Sequence, residues 1–258
     1  MTDSHQDHVA AALVGAVLHL ALDRPEKKNA LTRAMYGRLA DLLAEAAADG
    51  AVRVVVLSGS GGVFTAGNDL GDFLQDPPTG PDSPVFRFLQ ATATFPKPLV
   101  AAVAGPAIGI GTTILLHCDL AYAAPDALLR MPFVDLGLVP EAASSLLLPR
   151  LAGPARAAEM LLFGDPIAAD AAHAVGLVNA VVADPVAHAL ERAAALAQKP
   201  PAAVRQTKAL LRHDAADAVG AAFAREGALF VERLGSPEAQ EAFTAFFEKR
   251  PPDFSRFE

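Results

Sequence analysis

Glu141 is the residue of this sequence whose type and surroundings best fit acid–base chemistry. It follows Pro140, and no charged residue occurs in the apolar run 142–148. The apolar side chains on both sides of it are those of Leu136, Leu138, Val139 and Leu146. Exclusion of water raises the pKa of a carboxyl from about 4.3 toward neutrality, where a general base works best. An acid at the start of a helix is also stabilising in itself, so the local sequence equally allows a structural role.

A first glycine-rich segment, 59–69, is a candidate for binding a substrate through its backbone. It reads GSGGVFTAGND and follows the apolar, β-branched run 52–57. Such a turn after a parallel strand places N–H groups at the carboxyl edge of a sheet, where ligands bind in open α/β proteins. The segment is neither GxGxxG nor a P-loop, since no Gly-Lys-Ser/Thr follows. The alternative is a tight connection in which Asp69 caps a helix that begins at Leu70.

A second glycine-rich segment, 105–111, reads GPAIGIG and leads into a helix that includes 113–117. The first N–H groups of a helix lack intrahelical partners, and its dipole favours negative charge there. Gly109 and Gly111 have no side chains, so an acyl group could approach the backbone closely. The alternative is that both glycines only allow the helix to pack on the sheet.

The elements that must position these segments alternate between strand and helix. Residues 9–22 have strand character, and Thr32 is a predicted N-cap of an amphipathic helix that ends near Gly50. Short apolar runs at 52–57, 99–104 and 120–123 are typical of buried strands. Helical patterns between them predict βαβ units and a parallel sheet, hence an α/β fold. From about residue 199 the patterns are helical alone, with more phenylalanine than an isolated helical tail could bury.

Composition excludes several classes of protein. The net charge of −8 and the pI near 5.3 argue against a nucleic-acid partner, because phosphate binding needs a basic face. The single cysteine, Cys118, excludes an internal disulfide and fits a reducing compartment. We expect no signal peptide in the acidic N-terminal segment, no membrane span and a cytoplasmic protein. No metal site is expected, since nothing with ligand spacing lies near His117 and Asp119.

Seven segments, taken in order, are similar to the crotonase (enoyl-CoA hydratase/isomerase) superfamily over nearly the whole chain. They are FTAGND at 64–69, FPKPL at 95–99, AGPAIG at 104–109, LVPEAASS at 138–145, EMLLFG at 159–164, AVGLVN at 174–179 and FEKRPPDF at 247–254. Thr113 and Phe133 occupy the two positions where a hydratase carries its pair of glutamates. Glu141 and the AGND segment resemble instead the Δ3,Δ2-enoyl-CoA isomerases of the peroxisomal type.

The resemblance implies a crotonase-type ββα spiral over residues 8–198 and a C-terminal helical region over 199–258. The helical region is expected to drive assembly into a homotrimer or a dimer of trimers. The implied substrate is an acyl-CoA. Glu141 would take a proton from C2 of a 3-enoyl-CoA and return it at C4. The backbone N–H groups of Asn68 and Ile110 would form the oxyanion hole around the thioester oxygen.

The resemblance also implies where coenzyme A binds. Ala66 and its neighbours, including Asp69, would hold the adenine through backbone groups. Arg24 and Lys28 would lie near the phosphates, and Lys249 would reach a phosphate from the C-terminal region. Each cation could instead be an ordinary surface charge. Coenzyme A is part of the substrate, so no separate cofactor and no metal are expected.

Three other functions remain open at the level of sequence. A hydratase fits poorly, because Thr113 and Phe133 cannot position a water molecule between two carboxylates. A thioester hydrolase is possible if Glu141 activates water. A non-catalytic acyl-CoA-binding module is also possible, although Glu141 beside an intact oxyanion segment favours an enzyme. The segment 75–95 is expected to build the acyl pocket, and its irregular sequence does not predict the length of the acyl chain.

Overall fold

The structure is a computed structural model that describes residues 8–257. The segment 1–7, for which we expect no signal peptide, lies outside the described residues. The strands are β1 (Val9–Val14), β2 (Val17–Leu22), β3 (Val54–Gly59), β4 (Leu99–Val103), β5 (Pro106–Ile108), β6 (Leu120–Ala123), β7 (Leu128–Arg130), β8 (Ile167–Ala168) and β9 (Ala180–Val181). Short 3-10 turns occupy Pro25–Lys27, Ile114–His117 and Val134–Leu136.

Helices connect the strands and form the whole C-terminal region. They are α1 (Arg33–Ala48), α2 (Leu70–Gln75), α3 (Pro84–Thr94), α4 (Ile110–Thr113), α5 (Ser144–Ala152), α6 (Pro154–Leu162), α7 (Ala169–Ala174), α8 (Pro185–Ala197), α9 (Pro201–His213), α10 (Ala216–Leu234) and α11 (Pro237–Glu248). In the described part of the chain, no helix is both long and apolar enough to span a membrane.

The main sheet has six strands in the order β1-β2-β3-β4-β6-β9, and a second sheet has three in the order β5-β7-β8. In the main sheet β1 and β2 are antiparallel, and every other neighbouring pair is parallel. The parallel sheet predicted from alternating patterns is therefore confirmed. The strand character predicted over 9–22 is confirmed, and the range divides into two antiparallel strands because the chain reverses at Gly15, whose φ of 60° gives the tight turn of a hairpin.

Two apolar layers cover the main sheet. Val55 and Leu57 of β3 join the larger core, which α1 and α3 also supply, while Val54 and Val56 face a smaller layer on the other side. The smaller layer includes three alanines of α8, whose size lets the helix lie close to the strands: Ala189, Ala193 and Ala197. Both faces of the sheet are thus buried, which explains why its strands read as continuous apolar runs.

The predicted elements agree with the structure except at some boundaries. Thr32 caps α1 by accepting a hydrogen bond from the N–H of Met35 at 3.3 Å, as predicted. The strand predicted over 52–57 begins two residues later, and the helix predicted through His117 is a single α-turn followed by a 3-10 turn. That short helix is rich in β-branched residues, which lowers its helix propensity, and the dipole expected at its start is correspondingly weak.

The C-terminal helices pack against the spiral core. Phe230 of α10 and Phe243 of α11 are buried, and the ring of Phe230 meets that of Phe73 edge-on with centroids 6.1 Å apart. Phe246 and Phe247, by contrast, are 58% and 54% exposed. The predicted division into residues 8–198 and 199–258 stays a prediction, as does the assembly of several copies.

Candidate active site

A cavity of about 740 Å³ lies where the two glycine-rich segments, the loop before α5 and the C-terminal helices meet. The cavity is largely apolar, and its aromatic lining consists of Phe73, Phe133, Phe230, Phe243, Phe246, Phe247 and Phe254. A cleft of this size with a few polar groups is a typical small-molecule site. The segment 75–95, which was expected to build the acyl pocket, contributes none of the residues that line this cavity.

The two glycine-rich segments lie against each other at one end of the cavity. Thr65 and Ala107 form a parallel bridge, and a Cβ atom on Gly67 would lie 2.8 Å from the carbonyl oxygen of Ile108. Gly67 has a φ of 86°, so both its backbone angle and its closeness to the other segment require glycine. This contact brings Asn68 and Ile110, the two predicted oxyanion residues, into the lining of one cavity.

The backbone amides of Asn68 and Ile110 are available to a ligand. Neighbouring amides are occupied: the N–H of Asp69 donates to Leu31, and that of Gly109 donates to Arg130 at 2.7 Å. Within residues 8–257, neither Asn68 nor Ile110 has a hydrogen-bond partner for its own N–H. Two such donors beside one cavity are what stabilisation of a developing oxyanion requires.

Glu141 is buried three residues before α5, with 3% of its surface exposed. Its Oε1 atom has no hydrogen-bond partner in the described part of the chain. Burial, with a smaller contribution from the charge of Glu226, raises the pKa of Glu141 to about 8. Desolvated carboxyls without partners are costly and concentrate at functional sites. The structure thus bears out the desolvation predicted from the apolar flanks.

Glu141 does not itself line the cavity, although Phe133 and Leu138 of the preceding loop do. Burial first, and then the charge of Glu141, raise the pKa of Tyr36. The hydroxyl of Tyr36 in turn donates a hydrogen bond to Oδ1 of Asn68. Tyr36 therefore holds the side chain of a residue that lines the cavity, and the charge of Glu141 acts on Tyr36.

Thr113 and Phe133, which stand where a hydratase carries its two glutamates, are both buried. Phe133 lines the cavity with its ring, and Thr113 is fully buried with no partner for its hydroxyl in the described residues. Neither side chain can act as a base at neutral pH.

The predicted coenzyme A residues divide into two groups. Ala66 and Asp69 line the cavity, whereas Arg24, Lys28 and Lys249 do not. Arg24 is held by Asp69 at 2.6 Å and by the carbonyl of Ala30. Asp69 caps α2 by accepting from two of its first N–H groups, as its local sequence allowed. It therefore has a structural role whatever it contributes to binding.

The sequence neighbours of Lys28 and Lys249, which are Lys27 and Arg250, line the cavity instead. Lys28 and Lys249 are exposed residues with left-handed backbone angles at the ends of a 3-10 turn and of α11. Arg250 is bound to Glu241 at 2.6 Å and to Glu248 at 2.7 Å. The resemblance pointed to Lys28 and not to Lys27, although the two are adjacent in the sequence. No cluster of three or more potential metal ligands occurs among residues 8–257.

Two free amides in an apolar cavity, together with a buried carboxyl of raised pKa in the same protein, are typical of an enzyme that polarises a carbonyl and moves a proton. A family model described as "Enoyl-CoA hydratase/isomerase" matches residues 13–256. The chain belongs to this family, the crotonase superfamily, and its resemblance to that family is confirmed.

Relatives in the family carry out different reactions. Enoyl-CoA delta isomerase 2 of Homo sapiens is 35% identical over 243 residues, which are 91% of this chain and 61% of that protein. This chain therefore spans less than two thirds of the length of that relative. The 2,3-dehydroadipyl-CoA hydratase of Escherichia coli K12 is also 35% identical, over 92% of this chain and 94% of that protein.

Solved structures confirm the crotonase-type fold. The structure of Pseudomonas aeruginosa OdaA is 49% identical, with a TM-score of 0.91 over 93% of this chain and 99% of that one. An enoyl-CoA hydratase/isomerase from Pseudoalteromonas atlantica is 45% identical, with a TM-score of 0.92 over 96% of this chain and 99% of that one. The chain thus has the fold of the enoyl-CoA hydratase/isomerase family to which it belongs.

Proposed function

We propose that this protein is a Δ3,Δ2-enoyl-CoA isomerase that uses Glu141 as its base and the amides of Asn68 and Ile110 as its oxyanion hole. The observation that carries this proposal is a combination of two buried residues. Glu141 has a carboxyl oxygen without a hydrogen-bond partner in the described residues, and Phe133 puts a phenylalanine where a hydratase has a glutamate. Moving a double bond needs one base that gives back the proton it takes. Adding water would need that water to be held and activated, and the ring leaves no group to do so.

The reaction follows from these residues. The thioester carbonyl oxygen of a 3-enoyl-CoA accepts hydrogen bonds from the two free amides, and ionised Glu141 removes a proton from C2. The electron pair of that C–H bond delocalises over C2, C3 and C4 as a dienolate. The proton then moves from Glu141 to C4, which leaves the double bond between C2 and C3 and regenerates the carboxylate. Removal of one oxyanion donor typically costs about 10²–10³ in rate, so the two amides supply a large part of the acceleration.

Coenzyme A is proposed to bind as part of the substrate, with no separate cofactor, because a proton shift needs no redox or group-transfer partner. Ala66 and Asp69 line the cavity where the adenine is proposed to lie. Arg24, Lys28 and Lys249 stay candidates for the phosphates, and Lys27 is added to them because it lines the cavity. We further propose a cytoplasmic homotrimer or dimer of trimers. Sedimentation would then give three or six times the chain mass of 26.7 kDa.

A hydratase is the second candidate, and the observation in its favour is the presence of hydratases among the relatives. The deciding experiment is a paired assay of the purified protein on 3-hexenoyl-CoA and 2-hexenoyl-CoA. Conversion of the first to the conjugated 2-enoyl thioester, without hydration of the second, is the expected result. Loss of the 2-enoyl chromophore would instead identify a hydratase.

The same assay distinguishes the two remaining alternatives. Release of free coenzyme A from either substrate would identify a thioester hydrolase. Tight binding of acyl-CoA without turnover of either substrate would identify a binding module. Glu141→Gln is assayed beside the parent protein as a test of the base, since it keeps the shape of the side chain and removes only its ability to accept a proton.

A further inference from the structure

Glu226 of α10 is a buried acid that the proposed reaction does not use. It is 6% exposed and lies 81 residues beyond Ser145 in the chain. Its Oε1 atom accepts two hydrogen bonds from Ser145, from the N–H at 3.0 Å and from the hydroxyl at 2.5 Å. Its Oε2 atom is buried without a hydrogen-bond partner in the described part of the chain.

The contact with Ser145 supplies a cap that α5 otherwise lacks. Ala143 stands at the N-cap position of α5, and its methyl side chain cannot accept a hydrogen bond from the first turn. Ser145 lies in that first turn, where backbone N–H groups have no intrahelical partner. Glu226 therefore does for α5, from another helix, what a serine or aspartate at the N-cap does in most helices.

The turn that Glu226 caps is strained and carries Glu141. Ala142 and Ala143 have φ values of 61° and 53°, a region that residues other than glycine occupy only when their surroundings enforce it. Glu226 holds the turn from one side. On the other side the buried ring of His117 contacts the carbonyl oxygen of Ala142 at 2.6 Å. Burial lowers the pKa of His117 to about 4, so the neutral ring donates this bond at neutral pH.

We propose that Glu226 is a positioning residue for Glu141: it fixes the turn 141–145 through Ser145 and places its own carboxylate beside the carboxyl of the base. This inference rests on the proposed function, because it takes Glu141 as the base. It makes the C-terminal helix α10 part of the active site. The charge of Glu226 also contributes to the raised pKa of Glu141. Burial raises the pKa of Glu226 itself, while the hydrogen bonds from Ser145 and the charge of Arg225 on the same helix lower it.

Two substitutions separate the two contributions of Glu226. Glu226→Gln keeps an oxygen that accepts from Ser145 but removes the charge. Glu226→Ala removes both. Glu232→Gln is the matched control, because Glu232 is an exposed acid on the same helix. The readouts are kcat and KM on 3-hexenoyl-CoA, and the titration of the Glu141 carboxyl followed by its infrared band, which is assigned by its absence from Glu141→Gln.

We expect the titration midpoint of Glu141 to fall by about one pH unit in Glu226→Gln and to stay unchanged in Glu232→Gln. In Glu226→Ala we expect kcat to fall at least about tenfold with KM within about threefold, since a base displaced by an ångström loses much of its rate. We expect Glu226→Gln to recover most of that loss in kcat.

An unchanged Glu141 midpoint in Glu226→Gln overturns the proposal, whether or not the alanine variant folds. A folded Glu226→Ala enzyme with kcat within about twofold of the parent also overturns it. The infrared titration needs no substrate, so this test is independent of the identity of the reaction. If the parent enzyme does not isomerise 3-hexenoyl-CoA but the midpoint shifts, the proposed function fails while the placement of Glu226 stands.

Discussion

At the scale of single residues, the raised pKa of Glu141 predicts the pH dependence of the reaction. The base must be ionised to remove a proton, and with a pKa of about 8 only a minor fraction of Glu141 is ionised at pH 7. We expect kcat/KM to rise about tenfold per pH unit below pH 8 and to level off above it. The measurement is kcat/KM for 3-hexenoyl-CoA from pH 5.5 to about 9.5 at constant ionic strength. A plateau that already begins near pH 5 would contradict the assignment of the base.

Replacing Glu141 by Gln is expected to lower activity without lowering stability. We expect kcat to fall at least about 100-fold with little change in acyl-CoA binding. The folded-state pKa of Glu141 is raised, so its stabilising protonated form is fully present below its unfolded pKa of about 4.5 and is lost as pH rises through 8. Between these two pH values, the contribution of Glu141 to the free energy of unfolding falls by a few kcal/mol. The reason is that a tenfold change in a protonation equilibrium corresponds to about 1.4 kcal/mol.

Gln copies the protonated carboxyl at every pH. The melting temperature of Glu141→Gln should therefore match that of the parent at pH 5 and exceed it at pH 9. Glu159→Gln, a change of an exposed acid on α6, is the control and should change neither activity nor melting temperature. A variant that is less stable than the parent at pH 9 would show that Glu141 is not held in a desolvated site.

Tyr36 is expected to act on the oxyanion hole through Asn68. Its hydroxyl holds the side chain of Asn68, whose backbone amide is a proposed oxyanion donor. In Tyr36→Phe that side chain loses its partner, and we expect kcat to fall roughly tenfold with a small change in KM. Tyr122→Phe is the control, since Tyr122 is also buried but packs against His188 on the other side of the sheet. Equal kcat values in the two variants would exclude this role for Tyr36.

The sequence was informative about the burial of Glu141, the proposed base, and uninformative about residues from other helices that act on it. The burial of Glu141 could be predicted because its sequence neighbours are apolar. Tyr36 and Glu226 could not be predicted, because they belong to α1 and α10, and nothing local marks one tyrosine or glutamate of an amphipathic helix as the one that points inward. Lys27 and Lys28 differ by one position, and only Lys27 lines the cavity.

At the scale of elements, the spacing of apolar residues predicted the elements whose sequences are shaped by burial. Helix α1 is buried on one face, and strands β3, β4 and β6 are also buried. Their apolar patterns are therefore regular, and each was correctly predicted as a helix or a strand. The hairpin of β1 and β2 was overlooked because Val9–Val14 and Val17–Leu22 are apolar almost without a break. The close approach of the two glycine-rich segments could not be predicted, because it depends on a bridge between Thr65, outside the strands, and Ala107 of β5, 42 residues later in the chain.

The close contact between the two glycine-rich segments predicts that Gly67→Ala damages the proposed oxyanion hole. The new Cβ would stand 2.8 Å from the backbone of Ile108, at a φ of 86° that alanine disfavours. We expect a loss of stability of about 1–3 kcal/mol, together with a large loss of kcat as the amides of Asn68 and Ile110 separate. Gly37→Ala is the control, because a Cβ on Gly37 of α1 meets no atom within 4 Å and should stabilise the helix by roughly 0.5–1 kcal/mol. Chemical denaturation and steady-state kinetics measure both effects.

At the scale of the whole molecule, the cavity is lined by residues of the spiral core and by residues of the C-terminal helices. The sequence predicted a helical region that would drive assembly, and the family resemblance added only Lys249 of that region to the predicted site, whereas α10 and α11 line the cavity. That arrangement depends on long-range packing, with Phe230 of α10 against Phe73 of α2 and Glu226 against Ser145. Substrate specificity is therefore expected to depend on both parts of the chain.

Phe230 provides the test of that expectation. Phe230 is 2% exposed and lines the cavity, so Phe230→Ala removes a ring from the core and from the wall of the acyl site at once. We expect the free energy of unfolding to fall by about 3–5 kcal/mol, and the preference in kcat/KM to move toward longer 3-enoyl chains that fill the new space. Phe163→Ala, at an exposed position outside the cavity, should change neither. If stability fell but the order of chain-length preference stayed the same, α10 would support the fold without shaping the acyl site.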